Sequence, residues 1–310
     1  MAAAHNRSML PPLPDAVPAP RVALDTVAGQ IAVYHAQPEA TGVGALPPLL
    51  LVHSVNAAAS VAEVAPLFQH ARQHRAVAAL DLPGYGHSDR SDRAYTPRLM
   101  TDAVLAAAAW LAQQHGVPRV DVLAVSLSGE FVARAQVEKP HLFRRLALVS
   151  PTGFSRAKRR HGPPGSTLVV PWLLRLLKKP GWGERIYRNL TRPGVIRYFL
   201  KRTFGAPQVD EALWAYAVAT TRQPGALHAP LHFVSAALFS ADINTVYEAV
   251  RCPVWVSMAT RGDFTDYQGR STLASHTNWQ FHAVEGGALP YFEDLGAFSA
   301  LLDEFWRAQG

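Results

Sequence analysis

Apolar and polar positions follow two rhythms along this chain. Short, almost uninterrupted apolar runs, "PLLLVHS" (48–54), "RAVAALDLPG" (75–84), "RVDVLAVS" (119–126) and "RRLALVSPTG" (144–153), read as strands buried on both faces. Between them lie segments of helical period. "SVAEVAPLFQHA" (60–71) is one. In "YTPRLMTDAVLAAAAWLAQQHG", Thr96 is a good N-cap, Pro97 suits the first helical position, Gly116 suits the stop, and Met100, Val104, Ala107 and Leu111 fall on one face. "GEFVARAQVEK" is another, ended by Pro140. The alternation over residues 22–151 predicts a mostly parallel central sheet with helices on both faces, an α/β fold.

After Phe154 the rhythm breaks. Residues 155–240 hold clustered aromatics, cations and Pro/Gly breaks around helical stretches such as "EALWAYAVATTR" (211–222), and read as an inserted helical cap. Strand character returns at "CPVWVSMA" (252–259) and "WQFHAVEG" (279–286). A last helix follows, on which Phe298, Leu301, Leu302 and Phe305 share a face. The expected organisation is a flexible Pro/Ala-rich tail (1–20), a core made of 21–154 and 241–310, and a cap over 155–240.

Bulk properties exclude several classes. With 310 residues and 49% apolar composition the chain can bury a large core, so disorder is excluded. No apolar run reaches the roughly 18–20 residues needed to cross a bilayer, and the single cysteine, Cys252, forms no internal disulfide, so the cytoplasm is the expected compartment. The net charge of +7 is unevenly placed: Arg156 to Arg202 carries thirteen Lys/Arg against one acid, Glu184. Within that segment Trp172, Trp182, Tyr187, Tyr198 and Phe199 alternate with the cations, and Leu173, Leu174, Leu176 and Leu177 beside Arg175, Lys178 and Lys179 outline a basic amphipathic helix. Peripheral contact with an anionic membrane, or an anionic or lipid-like small-molecule substrate, fits this pattern; a merely solvated cap fits it too. No nucleic-acid-binding motif is present and no nucleic acid is expected.

The candidate chemistry begins at "VDVLAVSLSGEF", where Ser126 stands at a strand-to-helix junction between small residues Ala124 and Ser128. Such a turn can expose a serine hydroxyl at the carboxyl edge of a sheet; an N-capping serine at an ordinary junction is the alternative. "LLLVHS", "DLPGYGHSD" (81–89) and "CPVWVSMATRGDFTDY" accompany it in order. Together these stretches resemble the α/β-hydrolase fold family, in its branch with a cap after the sixth strand, over roughly residues 22–154 and 245–308. The resemblance implies Ser126 as nucleophile and Asp263 as triad acid, with Asp266 as a second candidate. It implies oxyanion donors at the N–H of Leu127 and of Ser54 or Val55. In "GGALPYFED" (286–294), similar to the family's "GHxPxxE" loop, Ala288 stands in the histidine slot.

A serine without an adjacent base is a weak nucleophile. Tyr291 lies in the same loop as a substrate-side residue, although an unperturbed phenol is a poor base near neutrality. His282 lies too far up its strand. His53 and His228, with His87 and His232, are the candidate replacements, each of which could instead be structural. The leading expectation is an enzyme acting on an ester, thioester or lactone of an apolar or amphipathic substrate. The alternatives are a cyclase or lyase on the same fold, and a catalytically silent binding or membrane-associated protein. No cofactor or metal is expected.

Overall fold

The computed structural model describes residues 11–39, 46–155, 159–262, 266–273 and 275–308. Its centre is an eight-stranded sheet: β1 (Arg21–Thr26), β2 (Gly29–Ala36), β3 (Leu49–Val52), β4 (Val77–Asp81), β5 (Val120–Val125), β6 (Phe143–Val149), β7 (Val254–Ala259) and β8 (Trp279–Val284). The order across the sheet is β1-β2-β4-β3-β5-β6-β7-β8. β1, β2 and β4 pair antiparallel, and the other neighbours are parallel. The opening hairpin was not expected from the alternation; its first strand, β1, lies at the sheet edge and is only partly buried.

Parallel strands must be covered on both faces. In β3 the side chains of Leu50 and Val52 enter one core and those of Leu49 and Leu51 the other. The first core is roofed by α2 (Pro97–Gln114), α3 (Ser128–Glu138) and α9 (Ile243–Ala249), the second by α1 (Ala65–Ala71) and α10 (Leu295–Arg307). Each such leucine or valine, fully buried, contributes about 1.5–3 kcal/mol relative to exposure. In α2 the capping signals hold: Thr96 Oγ1 accepts from the Leu99 N–H at 3.2 Å, Pro97 opens the helix, and Gly116 takes φ +60° just beyond it. On α10, Phe298, Leu302, Phe305 and Trp306 are buried, whereas Leu301, expected on that face, is 39% exposed. The stripe is rotated towards Trp306.

Between β6 and α9 lie α4 (Pro171–Leu177), α5 (Trp182–Leu190), α6 (Pro193–Phe204), α7 (Glu211–Thr221) and α8 (His228–Val234), here called the cap. Residues 11–20, expected within a flexible tail, instead run as a strap over the molecule. Val17 is buried, the Ala16 N–H donates to Tyr34 Oη, and the His35 N–H donates to Pro20 O. The strap also receives hydrogen bonds from the cap, Tyr216 Oη to Pro14 O at 2.9 Å and Gln223 Nε2 to Pro11 O at 3.3 Å. Among the described residues no helix is long and apolar enough to cross a membrane.

Candidate active site

The parallel registers bring the carboxyl ends of β3, β5, β6 and β7 to one edge, where Val52 lies beside Ala124 and Val125 beside Val149. Crevices at that edge are where open α/β sheets hold ligands. Ser126 sits there, one residue beyond β5, with φ +56°. Its N–H is held by Val149 O at 2.8 Å, and its carbonyl accepts from the Gly129 N–H as α3 begins. A non-glycine residue in this left-handed region costs about 1–2 kcal/mol. Such strain persists where surrounding structure over-determines it, which is characteristic of functional turns. Ser128, at the position where glycine is usual, is fully buried and donates from Oγ to His53 O at 2.5 Å, tying α3 to the loop after β3.

That loop is organised by an acid the sequence reading missed. Buried Glu63, in the 3₁₀ turn Val61–Val64, accepts from the Ser54 N–H at 2.9 Å and from Asn56 Nδ2 at 2.7 Å. Its backbone carbonyl accepts from Tyr291 Oη at 2.8 Å. The Ser54 amide is therefore spent, and of the two expected donors from this loop only Val55 remains. No hydrogen bond joins the N–H of Val55 or of Leu127 to another described residue. Tyr291 is likewise corrected: its ring is 1% exposed, burial pushes its phenol well above the usual range, and its hydroxyl braces Glu63 instead of meeting substrate.

"DLPGYGHSD" also has a structural task. The Asp81 carboxylate accepts from the Val61 and His87 N–H groups, both at 2.9 Å. Gly86, at φ +50°, approaches so closely that a Cβ would fall 1.9 Å from the Asp81 carboxyl carbon. Ser88 Oγ donates to Asp81 O and accepts from the Ala32 N–H.

The histidine replacements are used elsewhere. His53 is fully buried; Nε2 accepts from the Leu82 N–H at 3.0 Å, which leaves Nδ1 to donate to Ser54 O at 2.6 Å. With both ring nitrogens committed to backbone, it is not free to act as a base. His228 opens α8 and faces Asp92 at 3.4 Å, beside the loop after β4. His87 bridges Tyr34 Oη and Leu13 O, and His232 donates to His228 O while burial lowers its pKa. His282 stacks on Trp255 with ring centroids 5.5 Å apart. Among the described residues, none accepts a hydrogen bond from Ser126 Oγ. Asp263 lies outside the described residues. Asp266 accepts from Ser155 Oγ at 3.1 Å and from the Gln268 N–H at 3.0 Å, as a turn-forming carboxylate does.

The loop that carries Ala288 is held by its own hydrogen bonds. The Gly287 N–H donates to Glu293 Oε1 at 2.8 Å, and Glu293 pairs with Arg261. The cap then closes over it. The Ala288 N–H donates to Thr203 O at 2.7 Å, and a Cβ on Gly287 would fall 2.3 Å from Phe204 O. Gly205, at φ +59°, rests against Arg261 and Gly262. The last turn of α6 thus packs between Arg261–Gly262 and Gly287–Ala288.

A mostly apolar cavity of about 300 Å³ begins at Asn56–Ala58, the residues after Val55, and continues between Glu63 and Ile196, Phe199, Leu200, Leu213 and Phe233 of the cap. A second buried acid, Glu130 in the first turn of α3, fastens the cap's stems: it accepts from Arg160 Nη1 at 2.7 Å, Thr152 Oγ1 at 2.5 Å and the Ser240 N–H at 2.8 Å. His70 and His74 meet Asp303 at 3.3 and 3.8 Å, joining α1 to α10 near the start of β3. These are three residues that could ligate a metal, yet Arg307, 3.4 Å from Asp303, and the buried Arg75 flank them with positive charge, so the cluster reads as a helix-to-helix ion network.

A family model described as alpha/beta hydrolase fold matches residues 47–221. The chain belongs to the α/β-hydrolase fold family. No curated protein matches it in sequence. Among solved members of similar shape, the enol-lactonase from Burkholderia xenovorans LB400 superposes with a TM-score of 0.68 at 16% identity, covering 93% of this chain and 100% of that one. A carboxylesterase from Bacillus subtilis gives 0.68 at 14% identity, covering 94% and 92%. A bacterial membrane phospholipase A gives 0.66 at 19% identity, covering 93% and 87%. Similar α/β-hydrolase structures thus include a lactonase, an esterase and a phospholipase. At these identities the likeness extends to the fold and no further.

Proposed function

We propose that this α/β-hydrolase-fold chain is an enzyme acting on the carbonyl of an apolar or amphipathic ester, thioester or lactone, with Ser126 as the attacking group. The observation that carries this reading is the retained left-handed backbone at Ser126, a strained turn that an ordinary capping serine does not need. In this reading Ser126 Oγ adds to the carbonyl carbon as its hydroxyl proton passes to solvent water. The carbonyl π pair moves onto oxygen, where the Val55 and Leu127 N–H groups receive it. Collapse of the adduct expels the leaving group as its anion, and a second water hydrolyses the acyl-serine. The apolar cavity beyond Asn56–Ala58 would take the acyl chain.

Alanine at 288 removes both roles of the missing imidazole, base for attack and acid for departure. A leaving group that departs without a proton relaxes the second need, which favours thioesters and enol or aryl esters over alkyl esters. An alkyl fluorophosphonate tests the nucleophile. Labelling of the wild type that disappears in Ser126→Ala supports the reading, and a wild type that stays unlabelled while hydrolysing none of these acyl donors ends it.

A second reading, non-hydrolytic cyclase or lyase chemistry in the same cavity, is favoured by the observation that no side chain among the described residues accepts a hydrogen bond from Ser126 Oγ. Binding and conversion of substrate unchanged by Ser126→Ala would support it.

A further inference from the structure

Four large aromatic side chains stand in solvent on three consecutive helices. Trp172 on α4 is 63% exposed, Trp182 on α5 56%, and Tyr198 and Phe199 on α6 are 55% and 45%. Leu168, just before α4, is 41% exposed. Elsewhere on the described surface the large exposed apolar side chains are aliphatic: Val22, Val27, Val137, Val234 and Leu301. Among the described residues every markedly exposed Trp, Tyr or Phe therefore lies on the cap. Trp and Tyr rings are costly in water and favoured where an apolar phase meets a wet one.

The charge around them is predominantly positive. Lys178 and Lys179 follow α4, Arg185 and Arg188 lie on α5, Arg192 precedes α6 and Lys201 lies on it, all exposed and in no ion pair with another described residue. Glu184 is the sole acid between Arg156 and Arg202. Exposed cations outside any described ion pair and largely exposed rings share the same helices. That combination matches the boundary of a bilayer with anionic headgroups.

Phe199 links this face to the interior. It is 45% exposed and also lines the 300 Å³ cavity with Leu190, Ile196 and Leu200. We propose that the α4–α6 face docks on an anionic lipid bilayer and that Phe199 forms the mouth through which a membrane-partitioned acyl substrate passes to the cavity. Docking rests on exposure and charge alone; the substrate route rests also on the acyl-transfer reading given above.

Co-sedimentation of the full chain with phosphatidylcholine vesicles, with and without phosphatidylglycerol, tests the docking. Binding is expected only with the anionic lipid, and added salt should weaken it. Lys178→Gln/Lys179→Gln should lower the partition about 30-fold, at about 1 kcal/mol or fivefold per cation removed. Trp172→Ser/Trp182→Ser should weaken binding even at low salt. All four positions are exposed, so circular dichroism should show these variants folded. Absence of binding to either vesicle overturns the proposal, as does binding indifferent to both charge and ring. Capture of single-stranded RNA with no vesicle association would assign the face to nucleic acid instead and overturns it as well.

A long-chain fluorophosphonate separates the two layers. Vesicle binding with neither Ser126 labelling nor hydrolysis of the acyl donors would leave docking standing and remove the acyl-transfer reading. Labelling without vesicle binding does the reverse. Labelling accelerated severalfold by anionic vesicles, with the acceleration lost in Lys178→Gln/Lys179→Gln, is the result expected when both hold.

Discussion

Glu130 and Arg160 form the joint between the nucleophile's helix and the cap stems, and the two residues are not equivalent. Glu130 is 0% exposed, and burial raises its pKa despite the opposing pull of Arg160 and of hydrogen bonds from Thr152 and the Ser240 N–H. The Arg160 side chain keeps 13% of its surface in solvent and packs over Phe239. Replacing Arg160 by Met strands a carboxylate with no route to water, at a cost of about 3–5 kcal/mol. Replacing Glu130 by Gln keeps the Ser240 hydrogen bond, reverses the Thr152 one so that the amide donates to Thr152 Oγ1, and lets the guanidinium turn outward, so about 1 kcal/mol is expected.

For 310 residues, an unfolding entropy of about 2.1 cal/mol/K per residue converts 1 kcal/mol into roughly 1.5 °C. Arg160→Met should therefore lower Tm by about 5–8 °C and Glu130→Gln by about 1–2 °C, and the double variant should recover most of the Arg160→Met loss. The pH sign follows from the raised pKa. A folded state that holds its proton more tightly than the unfolded chain gains stability as pH falls through the folded pKa towards the unfolded one. The Arg160→Met deficit should thus shrink on acidification. Differential scanning fluorimetry on the four proteins across pH reads all of this. Equal single-variant losses that simply add in the double would refute the reasoning.

Two further outcomes follow from single contacts. Ser126→Gly removes the left-handed penalty, so the variant should melt later by roughly 1.5 °C, from about 1 kcal/mol of relieved strain, while losing any fluorophosphonate labelling; an unchanged or lower Tm would mean the turn stores no strain. His35 and His115 face each other Nε2 to Nε2 at 2.9 Å, and burial lowers both pKa values. A neutral pair shares one hydrogen, so stability should fall as pH drops from about 7 to about 5, and His115→Gln should flatten that slope in urea titrations.

What the sequence makes legible is local. Thr96, Pro97 and Gly116 bound α2 because capping is settled within one turn, and Ser126 stands at its junction because strand and helix periods meet there. The site's working details are not of that kind. Glu63 reaches Ser54 across a nine-residue loop, Glu130 meets Arg160 and Ser240 from distant parts of the chain, and Phe204 O closes on Gly287 from a cap helix. No periodicity encodes such meetings. His53 and Tyr291 misled for the same reason: residue type and loop were read correctly, but what consumed their polar atoms lies elsewhere in the chain. Asp81 shows the converse, a recognisable motif whose task is to fasten loops.

The strap over residues 11–20 gives the cap a third mooring. A flap hung on two stems can swing about them; one also buttoned at Tyr216 and Gln223 to a segment that is itself tacked down at Tyr34 and His35 swings only after those bonds release. Any wholesale lifting of the cap must therefore begin with release of the strap's own hydrogen bonds.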